Sequence, residues 1–341
     1  KLAPKTPGAQ PDLRAVTGLV KIEMGATAGK LAVAGQPVKS YELAPLIAML
    51  DAKDLAKGVT LKADTSAKLD GAPAGIVAIN LAATNLLAQD GTLSKSLPAV
   101  NGTVGITDIS TAIAQPFVES AGLDLPSGVG PKLAVSLVAA SKGGEAAPGA
   151  IPATDLDLGV KSAGVNSALA LSIDGRTIKK RGGDGFVSLK SPGTLAGKAA
   201  KNSGVALSDG GYAKATFRDF AVQFDEAWKP QLDRSAVDVE LNVGGFSIGL
   251  IPKPPASLPG QPSVPAPRAA EPLALGSFVV NTKLEPGAIP TVDLKGSGKH
   301  QNSEFFMQGA MKLVGLLGKD EAGKPAITPA DLRPLGTLDI T

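Results

Sequence analysis

The run Tyr212-Ala-Lys-Ala-Thr-Phe-Arg-Asp-Phe-Ala-Val-Gln-Phe224, a polar break around Trp228, and then Val237-Asp-Val-Glu-Leu-Asn-Val-Gly-Gly-Phe-Ser-Ile-Gly-Leu250 decide the fold. Phe220, Val222 and Phe224 occupy alternate positions. Val237, Val239, Leu241 and Val243 alternate with Asp238, Glu240 and Asn242. Side chains of an extended chain point to opposite sides in turn, so this period of two predicts strands with one apolar and one wet face. Gly244-Gly245 interrupts the pattern, and Phe246, Ile248 and Leu250 resume it.

The same texture extends in both directions. Residues 16–38 read as two short strands, and 58–69 and 75–87 as two more joined across Asp70-Gly71-Ala72-Pro73. Val104 and Ile106, then Leu133, Val135 and Leu137, then Leu156, Leu158 and Val160 alternate. So do Leu169, Leu171 and Ile173, which lead into Asp174-Gly175, and Phe278, Val280, Val292 and Leu294 around Pro286-Gly287. Asp90-Gly91 and Asn101-Gly102 also read as turns.

Three segments have helical spacing instead. They are 41–57 through Leu43, Leu46, Ile47, Leu50 and Leu55, 109–121 through Ile113, Phe117 and Val118, and 305–317 through Phe306, Met307, Ala310, Met311, Val314 and Leu317. Pro116 is expected to kink or split the second. Residues 193–211 hold few large apolar groups and read as loop. Residues 1–14, with Pro4, Pro7 and Pro11, read as an extended arm. The prolines of 252–272 predict an exposed, partly polyproline-II loop.

The resulting organisation is antiparallel β structure over 15–251 with helices near 41–57 and 109–121. After the proline-rich loop the sheet continues over 273–341, with a helix near 305–317. Strands and helices do not alternate, so antiparallel meanders are expected, in a mainly β fold with a few short amphipathic helices.

Composition narrows the function. With 41 Gly, 27 Pro and 4% aromatic residues in 341, the apolar surface is made of small and branched side chains, and a helical bundle is disfavoured. The 34 basic residues nearly match 31 acidic ones. Lys179-Lys180-Arg181 beside Gly182-Gly183-Asp184-Gly185 reads as a charged hairpin tip, not a phosphate grip. No nucleic-acid partner is expected, for want of clustered basic residues with stacking aromatics. The chain has no cysteine, which rules out disulfides and thiolate metal sites. A single histidine, His300, rules out multi-histidine metal sites. No apolar run is long enough for a membrane-spanning helix. A start at Lys1 and a stop within a strand-like segment suggest a piece of a longer chain.

Candidate chemistry is sparse. Gly245-Phe246-Ser247-Ile248-Gly249 matches G-x-S-x-G, with Asp293 and His300 following in hydrolase order. Yet Ser247 lies within an alternating strand, and Leu-Ile-Pro-Lys-Pro-Pro cannot start the helix that an esterase elbow requires. Asp155 with Asp157, and Asp238 with Glu240, share strand faces as paired glycosidase carboxylates could, but also as ordinary wet-face acids do. The chain is therefore expected not to be an enzyme, with no catalytic residue, cofactor or metal assigned.

The apolar face admits two uses. Two sheets could bury it against each other in a sandwich or small barrels, giving a structural envelope or surface-assembly scaffold with a filled β core. Alternatively a long sheet could curl into a trough whose inner face takes a ligand; residues 237–243 span about 23 Å, enough for a lipid tail.

Asn101-Gly-Thr-Val-Gly-Ile-Thr-Asp-Ile109, the helical segment after it and Gly130-Pro-Lys-Leu-Ala-Val-Ser-Leu137 resemble the strand–helix–strand modules of AsmA-like bacterial envelope proteins. So do Ser167-Ala-Leu-Ala-Leu-Ser-Ile-Asp-Gly175 and the opening strands. The likeness covers residues 100–341 and, more faintly, 15–100. It implies an elongated, curved antiparallel sheet with a taco-like groove for phospholipid or another acyl-chain lipid. It also implies a periplasmic or cell-envelope location within a longer membrane-anchored chain, a role in lipid transfer or outer-membrane biogenesis, and membrane or envelope proteins as further partners. The family carries no catalytic residues. The chain departs from it in lacking the N-terminal anchoring helix and in the 252–272 insertion. Groove-facing candidates are Phe217, Phe220, Val222, Phe224, Val237, Val239, Leu241, Phe246 and Ile248, for which packing as plain core is the alternative role.

Overall fold

The computed structural model describes residues 12–14, 16–31, 38–145, 149–251, 271–314 and 333–341. They form one nineteen-stranded sheet with three short α-helices. The first strands are β1 (Gly18–Met24), β2 (Thr27–Leu31), β3 (Lys39–Leu43), β4 (Leu46–Asp54), β5 (Gly58–Leu69), β6 (Ala72–Thr84) and β7 (Ala99–Ser110). Helices α1 (Thr111–Val118) and α2 (Leu125–Gly128) follow, then β8 (Lys132–Ser141), β9 (Ile151–Ser162), β10 (Val165–Gly175), β11 (Thr177–Lys180) and β12 (Gly185–Leu189). Helix α3 (Pro192–Asn202) precedes β13 (Val205–Leu207), β14 (Tyr212–Phe224), β15 (Pro230–Leu250), β16 (Leu273–Leu284), β17 (Thr291–His300), β18 (Ser303–Val314) and β19 (Arg333–Ile340).

All pairings are antiparallel and most join strands adjacent in sequence, which is a meander. From β4 each strand pairs with the next as far as β10. β11 and β12 together bridge β10 to β14, and β14 to β19 continue in order. β1 pairs with β4 and β2 with β3, while β3 and β4 line successive parts of β5. The turns expected at Asp70-Gly71, Asp174-Gly175 and Pro286-Gly287 join β5 to β6, β10 to β11 and β16 to β17. At the first, Asp70 (φ 50°) and Gly71 (φ 78°) are both left-handed, as a tight hairpin of matching twist requires.

Several expectations need correction. Residues 41–57 are not a helix: 41–43 and 46–54 lie in β3 and β4, separated by Ala44-Pro45, and 55–57 form the turn to β5. Residues 305–314 belong to β18, not to a helix; 315–317 lie outside the described residues. In both places hydrogen bonding to a ready neighbour (β5, or β17 and β19) overrides an apolar spacing that a helix could also satisfy. Asn101-Gly102 is no turn: it lies inside β7, paired with β6 and β8. Within 193–211, read as loop, residues up to Asn202 form most of α3, which starts at Pro192 and carries Lys201 in its last turn. The helix expected at 109–121 is present but starts at Thr111. It ends at Val118, two residues past Pro116, and continues as a 3-10 turn over Glu119–Ala121. The proline-rich segment is undescribed except for residues 271–272, and the N-terminal arm except for 12–14.

Little of this structure is buried. The buried apolar side chains among the described residues are Ala63, Ala74, Val129, Leu171, Ile173, Leu284 and Pro290. Such sparse burial fits a single layer better than two packed sheets.

Candidate apolar binding face

Residues paired across antiparallel strands share a face, so the register can be followed from one edge of the sheet to the other. Starting at Ile22, one row runs through Ala48, Ala63, Ile79 and Val104 to Leu137, Leu158 and Leu169. Leu169 lies against Gly185, which pairs with Phe217, and the row continues through Val239, Thr282, Val292 and Met311 to Gly336. Thr282 is the only polar member. Neighbouring rows on this side repeat the pattern, for example Leu61, Leu81, Gly102, Ala139 and Leu156. The opposite side carries Lys62, Asn80, Thr103, Asp157, Lys214, Glu240, Asn281 and Asp293. The whole sheet is thus amphipathic.

All nine groove candidates fall on the apolar side. Keeping them together takes two corrections of phase, because Phe217 and Phe220, like Val243 and Phe246, differ in parity. Between Phe217 and Asp219 a β-bulge admits Arg218 as an extra residue, so Phe217 and Phe220 face the same way. Their rings meet edge-on at 6.4 Å. Across Gly244-Gly245 the chain changes phase at Gly245, whose φ of 71° is unfavourable for other residues. Phe246 and Ile248 pair with Leu275 and Leu273, which rejoin the apolar side through Gly298.

In β8 and β18 the two sides differ in shielding. Phe305 on the apolar side is half-buried, whereas Phe306 on the other is 58% exposed. Leu137 and Val138, and Ala139 and Ala140, show the same contrast. Among the described residues no second sheet lies over the apolar side. On that side glycines make room for large rings: the ring of Phe278 lies over Gly296 and that of Phe305 over Gly298, and the two rings are 6.4 Å apart.

The helices pack on one another beside the ends of β7 to β9. Ser162, on the apolar side of β9, donates to the Val129 carbonyl (2.7 Å), and Ile109 packs on Gly75. Gln115 ties α1 to α2 through the Leu123 carbonyl and the Leu125 N–H, each at 2.8 Å. Gly122 and Gly128 let α3 approach through Ala199 and Leu195.

Compared with family models, with curated proteins and with solved structures, the chain matches none. The site therefore has to be judged on its own geometry.

The residues singled out for catalysis are not assembled for it. Ser247 lies within β15 and its N–H donates to Ser208 Oγ (2.7 Å); no helix follows it in the described chain. Asp293 and His300 sit about 24 Å apart along β17, too far to form a triad. Each acid pair is bridged by one arginine on the polar side. Arg181 reaches Asp157 at 2.6 Å and Asp155 at 3.5 Å, while Arg218 bonds Glu240 and lies 3.9 Å from Asp238. Lys180 donates to the carbonyls of Gly182 and Gly183, so the basic hairpin tip binds its own loop. Among the described residues no cluster of three potential metal ligands occurs, and no helix is long and apolar enough to cross a membrane.

The nine candidates understate the face. The signal that extends it, Ile79 and Leu81 in β6 or Val135 and Leu137 in β8, is the same alternation in segments with smaller side chains. Alternation does not, however, reveal which strands share a face.

Proposed function

We propose that this protein is a non-catalytic lipid-handling module whose apolar face accommodates the acyl chains of phospholipid or a similar lipid. The observation that carries the reading is the predominantly apolar side of the sheet, followed from β1 to β19, with no second sheet over it among the described residues. Apolar exposure on this scale is otherwise rare in a monomer, where the largest patch is about 300–600 Å². A surface one side chain deep and many strands wide suits a ligand held by area and not by directed hydrogen bonds. Hydrocarbon tails are such a ligand, and their headgroups would remain in water.

A cell-envelope setting and AsmA-like membership belong to the same proposal; they rest on the resemblance of residues 100–341 and on the single amphipathic antiparallel sheet. The competing scaffold with a filled core would need a second layer facing the apolar side. The test is organic extraction of the purified protein followed by mass spectrometry. Stoichiometric phospholipid supports the reading. Lipid-free protein that also fails to enhance the fluorescence of an apolar dye overturns it.

A further inference from the structure

β1 lies at one edge of the sheet. Its seven residues pair with β4 on one side, and among the described residues no strand pairs with the other. All seven are exposed, Ile22 at 56% and Met24 at 60%. The chain before β1 turns away, the Leu13 N–H bonding the Gly91 carbonyl (2.9 Å) in the segment between β6 and β7. Val20, Ile22 and Met24 lie on the apolar side. Lys21 and Glu23 lie on the polar side, where their charged groups meet at 3.0 Å. An edge strand with apolar side chains and unpaired N–H and C=O groups is a template for another strand.

The residue order of β1 fits a second copy of itself. When two copies run antiparallel about Ile22, Ile22 faces Ile22 and Val20 of each faces Met24 of the other. Lys21 of each then lies directly opposite Glu23 of the other, which gives two ion pairs between the copies. Opposed residues are both even or both odd, so backbone groups turned outward on one copy meet those turned outward on the other. The charges also fix the register. A slip of one residue joins the apolar side of one copy to the polar side of the other. A slip of two sets Lys21 against Lys21 or Glu23 against Glu23, and like charges directly opposite are destabilising.

We propose that two copies of this chain dimerise through β1, joining their sheets into one with a shared apolar side. The two-fold axis passes between the Ile22 residues, and the contact closes on itself. The far edge, β19, is less suited. Phe306 and Thr341 exchange both N–H···O bonds, at 2.8 and 3.0 Å, so odd residues of β19 turn their backbone groups toward β18 and even ones outward. Pro334 is therefore an outward position with no N–H to donate, a feature of edges that resist pairing. Pairing β1 with β19 of another copy would moreover build an open filament. The proposal rests on the edge of the sheet and not on the lipid reading.

Sedimentation equilibrium of the full chain over a range of concentrations tests this. A monomer–dimer equilibrium is expected, weakened about tenfold or more by Lys21→Glu or by Glu23→Lys, with the circular dichroism of the strands unchanged. Each single variant sets like charges against each other in its own dimer. An equal mixture of the two variants, and the double variant carrying both substitutions, bring opposite charges back together and should associate like the original protein. A monomer at every concentration, a polymer in place of a dimer, or a dimer indifferent to the single substitutions overturns the proposal. So does a mixture that fails to recover. Phospholipid bound per chain should be the same in all samples, which separates this result from the fate of the lipid reading.

Discussion

The ring of Phe278 fills the space above Gly296: a Cβ at that glycine would fall 2.4 Å from Cδ1 of the ring. The two are direct partners in β16 and β17, on the apolar side. Gly296→Val should therefore displace the ring and destabilise the sheet by about 1–3 kcal/mol. A lowered urea midpoint, partly recovered in the double variant with Phe278→Ala, is expected. An unchanged midpoint would show that the ring moves aside freely.

Gly245 should be equally intolerant, for a backbone reason. At φ 71° a β-branched side chain is strained, and Gly245→Val should cost about 1–2 kcal/mol. Its neighbour Gly249 has no positive φ and only ordinary contacts, so Gly249→Ala serves as the control. Thermal midpoints of the two variants distinguish backbone strain from a general preference for glycine in β15.

This pair also shows what the sequence could and could not reveal. The alternation around Val239 and Phe246 is plain, and it gives the strands and the wet and dry sides of each. The phase change at Gly245 and the bulge at Arg218 depend on neighbouring strands, so that all nine candidates share one face becomes visible only in the register. Residues 41–57 misled for a different reason. In β4 both sides carry apolar residues, Leu46 and Leu50 on one and Ile47 and Met49 on the other, which hides the period of two. At β18 the adjacent Phe305 and Phe306 do the same. Helix α3 lacked an apolar stripe long enough to betray it, although Ser191-Pro192 and Lys201 fit its two ends.

An exposed ion pair gives a pH-dependent check. The Lys283 ammonium hydrogen-bonds the Glu285 carboxylate at 2.6 Å, and that bond, then the attraction of the charges, holds the carboxyl below its usual range. A carboxyl lowered in the folded state contributes its stability above its unfolded pKa and loses it as pH falls through the folded value. NMR titration should place Glu285 below an ordinary glutamate, and Lys283→Gln should return it upward. An identical midpoint in both proteins would mean the pair does not form in solution.

Polarity on the two sides of one strand should have opposite consequences for lipid. Val239→Asp puts a carboxylate in the apolar row and should cut co-purifying phospholipid severalfold, because an ionised group there loses hydration without gaining a partner. Asn242→Asp, on the polar side of the same strand, should leave it unchanged. Phosphorus analysis of matched preparations reads the difference. Equal loss in both would point to general destabilisation.

The most direct measurement uses a photo-reactive residue at 237 to 242 in turn, each protein irradiated with phospholipid carrying a labelled acyl chain. The account predicts strong labelling in place of Val237, Val239 and Leu241 and little in place of Asp238, Glu240 and Asn242, an alternation that only a lipid lying on the apolar face can produce. Uniform labelling along the strand, or none at any of the six positions, would contradict it.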